Sequence, residues 1–194
     1  MCPLELRVPL REAGWVDADE DHELLERAGH DREAFALLYR RHRRLLLDHV
    51  YRRTGDVHTT EDLVSDVFLT ALRTLPRYRY RGVPVRFWLL RIATNAVNRW
   101  ARRQRRWSVR IVSAEHIETV PAEPPPEGGE VDPEYARRAL LALPPKYQSV
   151  LALHHMDGLA VTEVAAILGC RVGTVKSRLS RARHALRAAL TKRS

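Results

Sequence analysis

Between residues 113 and 133 the chain carries six carboxylates (Glu115, Glu118, Glu123, Glu127, Glu130, Asp132) and no lysine or arginine. The same stretch holds Pro124-Pro125-Pro126 and Gly128-Gly129. Such a segment cannot bury enough apolar surface to offset the entropy of ordering its backbone, so it reads as a linker. The 194 residues suffice for one ordinary domain or two small ones, and a linker at this position selects two. The expected organisation is an N-terminal extension (1–20), a first domain (21–106), the linker (107–133) and a second domain (134–194).

Both domains read as helical. In the first, Leu24, Leu25 and Ala28, then Phe35, Leu38 and Tyr39, then Leu45, Leu46, His49 and Val50 recur at three- and four-residue steps. Thr59 or Thr60 is expected to cap a helix through Leu63, Val67, Phe68 and Leu72 that Pro76 ends. A further helix is expected from Phe87 to Arg106. Helices resume at Glu134, and no alternating strand of useful length is present. The fold class expected is all-α.

The net charge of +9 and pI near 10.2 call for a polyanionic partner, of which nucleic acid is the usual one. Only three of the 33 basic residues are lysines (Lys146, Lys176, Lys192), a bias that genome composition alone can produce. Two cysteines, Cys2 and Cys170, cannot build a disulfide framework or a cysteine-based zinc site unaided. No apolar run approaches the ~20 residues a membrane span needs. The N-terminus has Glu5, Arg7, Arg11 and Glu12 where a signal peptide needs an apolar core. A cytoplasmic protein without cofactor, metal or membrane insertion is expected.

The second domain has the proportions of a helix-turn-helix. A short helix with Val164, Ala165, Ile167 and Leu168 stops at Gly169, and another begins about four residues later. On that second helix Val175, Leu179, Ala182 and Leu186 form a buried stripe. From residue 171 to 194 there are eight basic residues and no acidic one. Solvated helix faces normally mix signs to gain i,i+4 pairs, so a single-sign face points to phosphate.

The first domain has a different signature. Residues 76–91 read PRYRYRGVPVRFWLLR, with Tyr78, Tyr80, Phe87 and Trp88 among five arginines. Aromatic rings stack on unpaired bases, at ~1–3 kcal/mol each, whereas a duplex hides the faces of its bases. Phe87 and Trp88 have a second reading as plugs of the core. On the following helix Asn95, Asn98 and Arg102 share one face; amides can read base edges while arginines hold phosphates. The helix before it exposes Glu61, Asp62, Ser65, Asp66 and Leu69 on an otherwise basic domain, which suits a protein partner with a basic surface.

These residues together resemble the extracytoplasmic-function (group IV) sigma factors of the sigma-70 family, which consist of regions 2 and 4 joined by a linker. The resemblance rests on EDLVSDVFLTAL (61–72), FWLLRIATNAVNRWARR (87–103), LPPKYQSVLAL (143–153) and GTVKSRLSRAR (173–183). A helix-turn-helix string alone is common; all four in this order are specific.

The resemblance implies roles. Glu61, Asp62, Ser65, Asp66 and Leu69 would dock on the clamp helices of the polymerase largest subunit, and region 4 would meet the flap. Tyr78, Tyr80, Arg86, Trp88, Asn95, Asn98, Arg99 and Arg102 would open and read the minus-ten element. Lys176, Ser177, Ser180 and Arg181 would face bases of the minus-thirty-five element, and Arg171, Thr174, Arg178 and Arg183 its phosphates. The acidic linker would thread the RNA exit path, and an anti-sigma factor is an expected partner. Thr60, Ser65 and Ala160 depart from the residues frequent in the family, and Thr162 is expected to cap the first helix of the helix-turn-helix in place of Ala160.

Two rivals remain at this point. A duplex-only helix-turn-helix regulator explains residues 173–183 but leaves the Arg/Tyr loop and the acidic patch idle. An enzyme acting on nucleic acid needs clustered carboxylates or a zinc constellation, for which His154, His155 and Asp157 are the nearest candidates. The sigma reading, without covalent chemistry, is the expectation carried forward.

Overall fold

The computed structural model describes residues 21–78, 83–112 and 133–191. Among them every regular element is helical. The N-terminal bundle comprises α1 (Asp21–Arg27), α2 (Arg32–Thr54), α3 (Val57–Thr74), a 3-10 turn (Leu75–Arg77) and α4 (Val85–Val112). The C-terminal bundle comprises α5 (Pro133–Ala142), α6 (Pro145–Leu151), a π-helical turn (Ala152–Met156), α7 (Val161–Leu168) and α8 (Val172–Thr191). The extension 1–20, Tyr80, the linker segment 113–132 and Cys2 lie outside the described residues.

Local chemistry sets the ends. Asp31 caps α2 by accepting from the N–H groups of Glu33 and Ala34, leaving fewer orphan donors in the first turn. Gly55 closes α2 at φ 67°, a left-handed geometry that suits glycine. The cap of α3 is Asp56, whose Oδ1 accepts from the Thr59 N–H at 2.7 Å; the expected Thr59 or Thr60 does not cap it. Thr60 is instead buried, its hydroxyl 2.6 Å from that of Thr54. Nor does Thr162 cap α7, because it sits inside the first turn. Glu163 serves there, its Oε2 accepting from the Ala160 N–H at 2.8 Å.

Helix α4 runs to Val112, beyond the expected end at Arg106, since no proline or glycine interrupts it before Pro121. Six residues assigned to the linker are therefore helical, and Pro133 opens α5, where its missing N–H costs nothing.

The predicted apolar stripes meet in the core. Leu38, Leu46 and Val50 of α2, Val64, Val67 and Phe68 of α3, and Phe87, Leu90 and Val97 of α4 are at most 4% exposed. Each such side chain contributes about 1.5–3 kcal/mol by leaving water. In the C-terminal bundle Val150, Leu153, Val164, Ile167 and Val175 are wholly buried. The two bundles also pack on each other, α4 against α6 and α7, and α2 against α5 and the π turn.

Candidate nucleic-acid and polymerase interfaces

Helix α8 is held by its inner stripe. Val175, Leu179 and Ala182 are buried, and Leu186 is half-buried, against α6 and α7. Ala165 and Ala166 on α7, both fully buried, let the helices approach closely. The sharp turn between α7 and α8 is made by Gly169 at φ 64°, where a Cβ would be strained. Burial pushes the Cys170 thiol up in this turn, opposed by the nearby Arg178. With the inner stripe buried, the opposite face of α8 is left to solvent. Arg171, Lys176, Ser177, Ser180, Arg181 and Arg183 are exposed, and Thr174 and Arg178 are half-buried. The Ser177 hydroxyl donates to the Thr174 carbonyl at 3.0 Å. All eight residues expected at a duplex thus share one helix and its leading turn, without an acidic neighbour on it.

On the N-terminal bundle, α3 buries Leu63, Val64, Val67 and Phe68 and so turns Glu61, Asp62, Ser65, Asp66 and Leu69 outward. Leu69 is 48% exposed among these carboxylates, a combination suited to an interface with apolar and basic elements. Glu61 pairs with Arg43 at 3.6 Å.

The residues expected at the minus-ten element separate into three environments. Arg86, Asn95, Arg99 and Arg102 are exposed. Trp88 is 3% exposed and Tyr78 packs beside it, ring centroids 4.6 Å apart. In this conformation the Trp88 ring belongs to the core, as the second sequence reading of it held, and its face is taken by Tyr78. Asn98 is half-buried and turned toward α6.

Asn98 belongs to a polar seam that sequence reasoning missed. The Arg53 Nη2 donates to Asn98 Oδ1 at 2.7 Å and to Gln148 Oε1 at 2.9 Å. Asn98 Nδ2 donates to the Ser149 hydroxyl at 3.0 Å. Gln148 is locked by donating to the carbonyls of Leu141 and Leu143. Arg53 is 0% exposed, and burial lowers its pKa to about 10, against the opposing pull of Asp157. It remains charged near neutrality. Beside it, His49 Nδ1–H donates to Asp157 at 2.5 Å, and Arg52 donates to the other oxygen at 2.6 Å. Asp157 stands at the end of the π turn, its own N–H bonded to the Ala152 carbonyl five residues back. Arg137 of α5 completes the seam by donating to the Thr54 carbonyl at 2.8 Å. The signal in the sequence was Arg53 itself, which continues the buried Leu46, His49, Val50 stripe with a charge.

The His154–His155 pair reads as structural. Its rings are 4.7 Å apart, and His154 Nδ1 bonds the Leu159 carbonyl. Burial lowers the His155 pKa first, with His154 and Arg183 adding to the effect. Asp157 is committed to His49 and Arg52, and among the described residues no cluster of three or more His, Cys, Asp or Glu could hold a metal. Among the same residues no helix is long and apolar enough to cross a membrane.

Comparison with known proteins bears on these surfaces. Residues 38–107 match Sigma-70 region 2, and residues 134–186 match Sigma-70, region 4. The RNA polymerase sigma factor YlaC of Bacillus subtilis is 33% identical over 164 residues, covering 83% of this chain and 94% of its own. The ECF RNA polymerase sigma-E factor of Escherichia coli is 34% identical over 86% of this chain and 92% of its own. The chain belongs to the sigma-70 family, in its extracytoplasmic-function group. The ECF RNA polymerase sigma factor SigE of Mycolicibacterium smegmatis is 34% identical over 81% of this chain, which spans 62% of that relative's length. Two solved structures share the fold, the first of them a sigma factor. RpoE of Bartonella quintana, in complex with the anti-sigma factor NepR, has 27% identity and a TM-score of 0.57 over 82% of this chain and 98% of its own. CnrH, in complex with the cytosolic domain of CnrY, has 26% identity and a TM-score of 0.60 over 92% of this chain and 100% of its own. In this sigma factor region 2 therefore includes most of α2, all of α3 and most of α4, and region 4 spans α5 to α8 as far as Leu186. A duplex-only regulator leaves the region 2 match without an account.

Proposed function

We propose that this sigma factor binds core RNA polymerase, directs it to a class of promoters and promotes DNA opening, acting in the cytoplasm and performing no covalent chemistry itself. The carrying observation is the pairing, in one chain, of an exposed carboxylate-and-leucine face on α3 with an acid-free basic face on α8. The α3 face fits the clamp helices of the polymerase largest subunit, and region 4 fits the flap. Helix α8 reads the duplex minus-thirty-five element through Lys176, Ser177, Ser180 and Arg181, while Arg171, Thr174, Arg178 and Arg183 hold phosphates. Asn95, Asn98, Arg99, Arg102 and Arg86 engage the opened minus-ten strand, together with the loop carrying Tyr78 and Tyr80.

An anti-sigma protein is the proposed negative partner, as in the complex of RpoE with NepR. A groove between the bundles suits an amphipathic helix with acidic flanks. Leu140, Leu151, Met156 and Leu186 line it beside Arg52, Arg137 and Arg183.

Run-off transcription with purified bacterial core polymerase tests the function, on templates recovered by mapping sites bound together with polymerase. Promoter-specific transcripts are expected only when the chain is added. Tight binding to a fixed duplex with no transcript from any template would favour the duplex-only regulator.

A further inference from the structure

Among the described residues, a cleft of about 410 Å³ opens between α1 and the 3-10 turn that follows α3. Its described lining runs from His22 to Tyr78 and owes nothing to region 4. The floor is apolar: Leu25 and Leu75 are buried, and Pro76 and Tyr78 lie beside them. Gly29 keeps the space clear, since a Cβ there meets nothing within 4 Å. Tyr78 works on two sides, its ring 4.6 Å from that of Trp88 while it also lines the cleft. A volume of this size takes an aromatic group.

The chain carries one such group within reach. Trp15 is the only Phe, Trp or Tyr among residues 1–34. With Val16 it stands in EAGWVDADE (12–20), a stretch of four carboxylates and no basic residue. An indole left in water there forgoes the large burial that such a ring normally gains. Trp15 precedes Asp21 by six positions, a reach of up to about 20 Å when extended. The seven residues of α1 span only about 10 Å, so the segment can fold back along α1 and set the indole anywhere on the cleft. Its starting point is fixed, because the Asp21 carboxylate is bonded to His42 at 2.7 Å and to Arg41, both on α2. Charge agrees with this placement. His22 and His30 edge the cleft, and Arg77 is exposed between Pro76 and Tyr78. The one carboxylate there, Glu26, pairs with His22 at 3.4 Å. A tether this short holds the ring at an effective concentration on the order of mM, so an intrinsic affinity of only about 0.1 mM would dock roughly nine-tenths of the chains.

We infer that residues 12–20 dock on the N-terminal bundle in cis, with Trp15 seated in the cleft between α1 and Leu75–Tyr78 and the carboxylates of the segment facing Arg77 and His30. Tyr78 is then held between two indoles, Trp15 and Trp88. Trp15 and α1 both precede the residues matched to region 2, and the docking does not depend on what Tyr78 contacts in DNA.

The test uses the full chain labelled with 5-fluorotryptophan and fluorine NMR. The four tryptophans (Trp15, Trp88, Trp100, Trp107) give separate signals, and that of Trp15 is identified by its loss in Trp15→Phe. In the parent, the Trp15 signal is expected to show only a small part of the H2O-to-D2O shift of free 5-fluorotryptophan. Gly29→Phe, which places a ring in the cleft, is expected to restore the full solvent shift to Trp15, its fold verified by circular dichroism. Should that variant not fold, His30→Glu/Arg77→Glu, which opposes the carboxylates at the edge, is expected to expose Trp15 as well. Trp15→Ala is expected to move the Trp88 signal, because Tyr78 stands between the two rings. A full solvent shift for Trp15 in the parent would overturn the inference. So would a shielded Trp15 that no cleft variant exposes, since the ring would then be buried elsewhere. Shielding that grows with protein concentration would give the cleft to Trp15 of a second copy. An exposed Trp15, with a Trp88 signal that answers to a twenty-nucleotide oligo-dT in the parent but not in Gly29→Phe, would give it to an unpaired base. Either result overturns docking in cis.

Discussion

His49 of α2 and Asp157 of the π turn meet at 2.5 Å across the boundary between regions 2 and 4, their side chains 0% and 4% exposed. On the far side of the ring, Nε2 lies 3.2 Å from the Thr94 hydroxyl. The imidazole is therefore gripped at both nitrogens, and one grip comes from the other region.

Removing the Asp157 carboxylate leaves a buried donor on His49 without its partner, at a cost of about 1–3 kcal/mol. Asp157→Ala is expected to lower the urea midpoint and to increase amide exchange selectively along α6 and the facing stretch of α2. A uniform rise in exchange over both bundles would show that Asp157 supports the global fold instead of the seam. Arg52, which is partly exposed and shares the same carboxylate, should matter less, because exposed pairs contribute only about 0–1 kcal/mol.

On α8 the expected base-facing and phosphate-facing residues should separate by assay. Lys176→Ala is expected to cost ~1–3 kcal/mol on a cognate minus-thirty-five duplex and little on an unrelated one. Arg183→Ala should weaken both duplexes and lower the salt slope by about 0.9. Fluorescence anisotropy on the two duplexes at several salt concentrations distinguishes them, and equal behaviour of the two variants would reject the assignment.

The α3 face makes a cleaner test, since Asp66 and Leu69 are exposed and substitutions there should move stability by no more than about 0.5 kcal/mol. Asp66→Arg combined with Leu69→Ser is expected to abolish co-elution with core polymerase while leaving duplex binding by α8 intact. Retained co-elution would place the polymerase contact on another surface.

Two helix caps give a pH dependence with a definite sign. Arg27 first, then the N–H groups of Ala34 and Glu33, hold the Asp31 carboxyl below the usual carboxylate range. The N–H and hydroxyl of Thr59 do the same for Asp56. A carboxyl whose folded pKa is depressed contributes stability that is present above its ordinary pKa and lost as pH falls through the folded value. Thermal midpoints should therefore decline as pH drops below about 4. Asp31→Asn/Asp56→Asn should flatten that decline and change little at neutral pH, because asparagine also caps helices. An acid limb of unchanged steepness in the double variant would assign the loss to other carboxylates.

Much of this molecule was legible in order of residues alone. Periodicity is local: Leu63, Val64, Val67 and Phe68 must share a face of any helix that contains them, so the outward Glu61, Asp62, Asp66 and Leu69 follow without knowledge of neighbours. The buried stripe of Val175, Leu179 and Ala182 and the basic face opposite it follow in the same way. Helix ends were less legible, since capping depends on which of several nearby oxygens reaches the free N–H groups; Asp56 does so where Thr59 and Thr60 were expected.

What only tertiary structure decided is the fate of polar side chains between the bundles. Asn95, Asn98 and Arg102 lie on one helix face by spacing, yet Asn95 and Arg102 meet solvent while Asn98 meets Ser149. Trp88 stands in an arginine- and aromatic-rich string, yet packs inside against Tyr78. Arg53 and Asn98 are 45 residues apart, and His49 and Asp157 are 108 apart. Hydrogen bonds are short-ranged and directional, so nothing in the order of residues could pair these groups; packing of α2 on α4 brings Arg53 to Asn98, and packing of one bundle on the other brings His49 to Asp157.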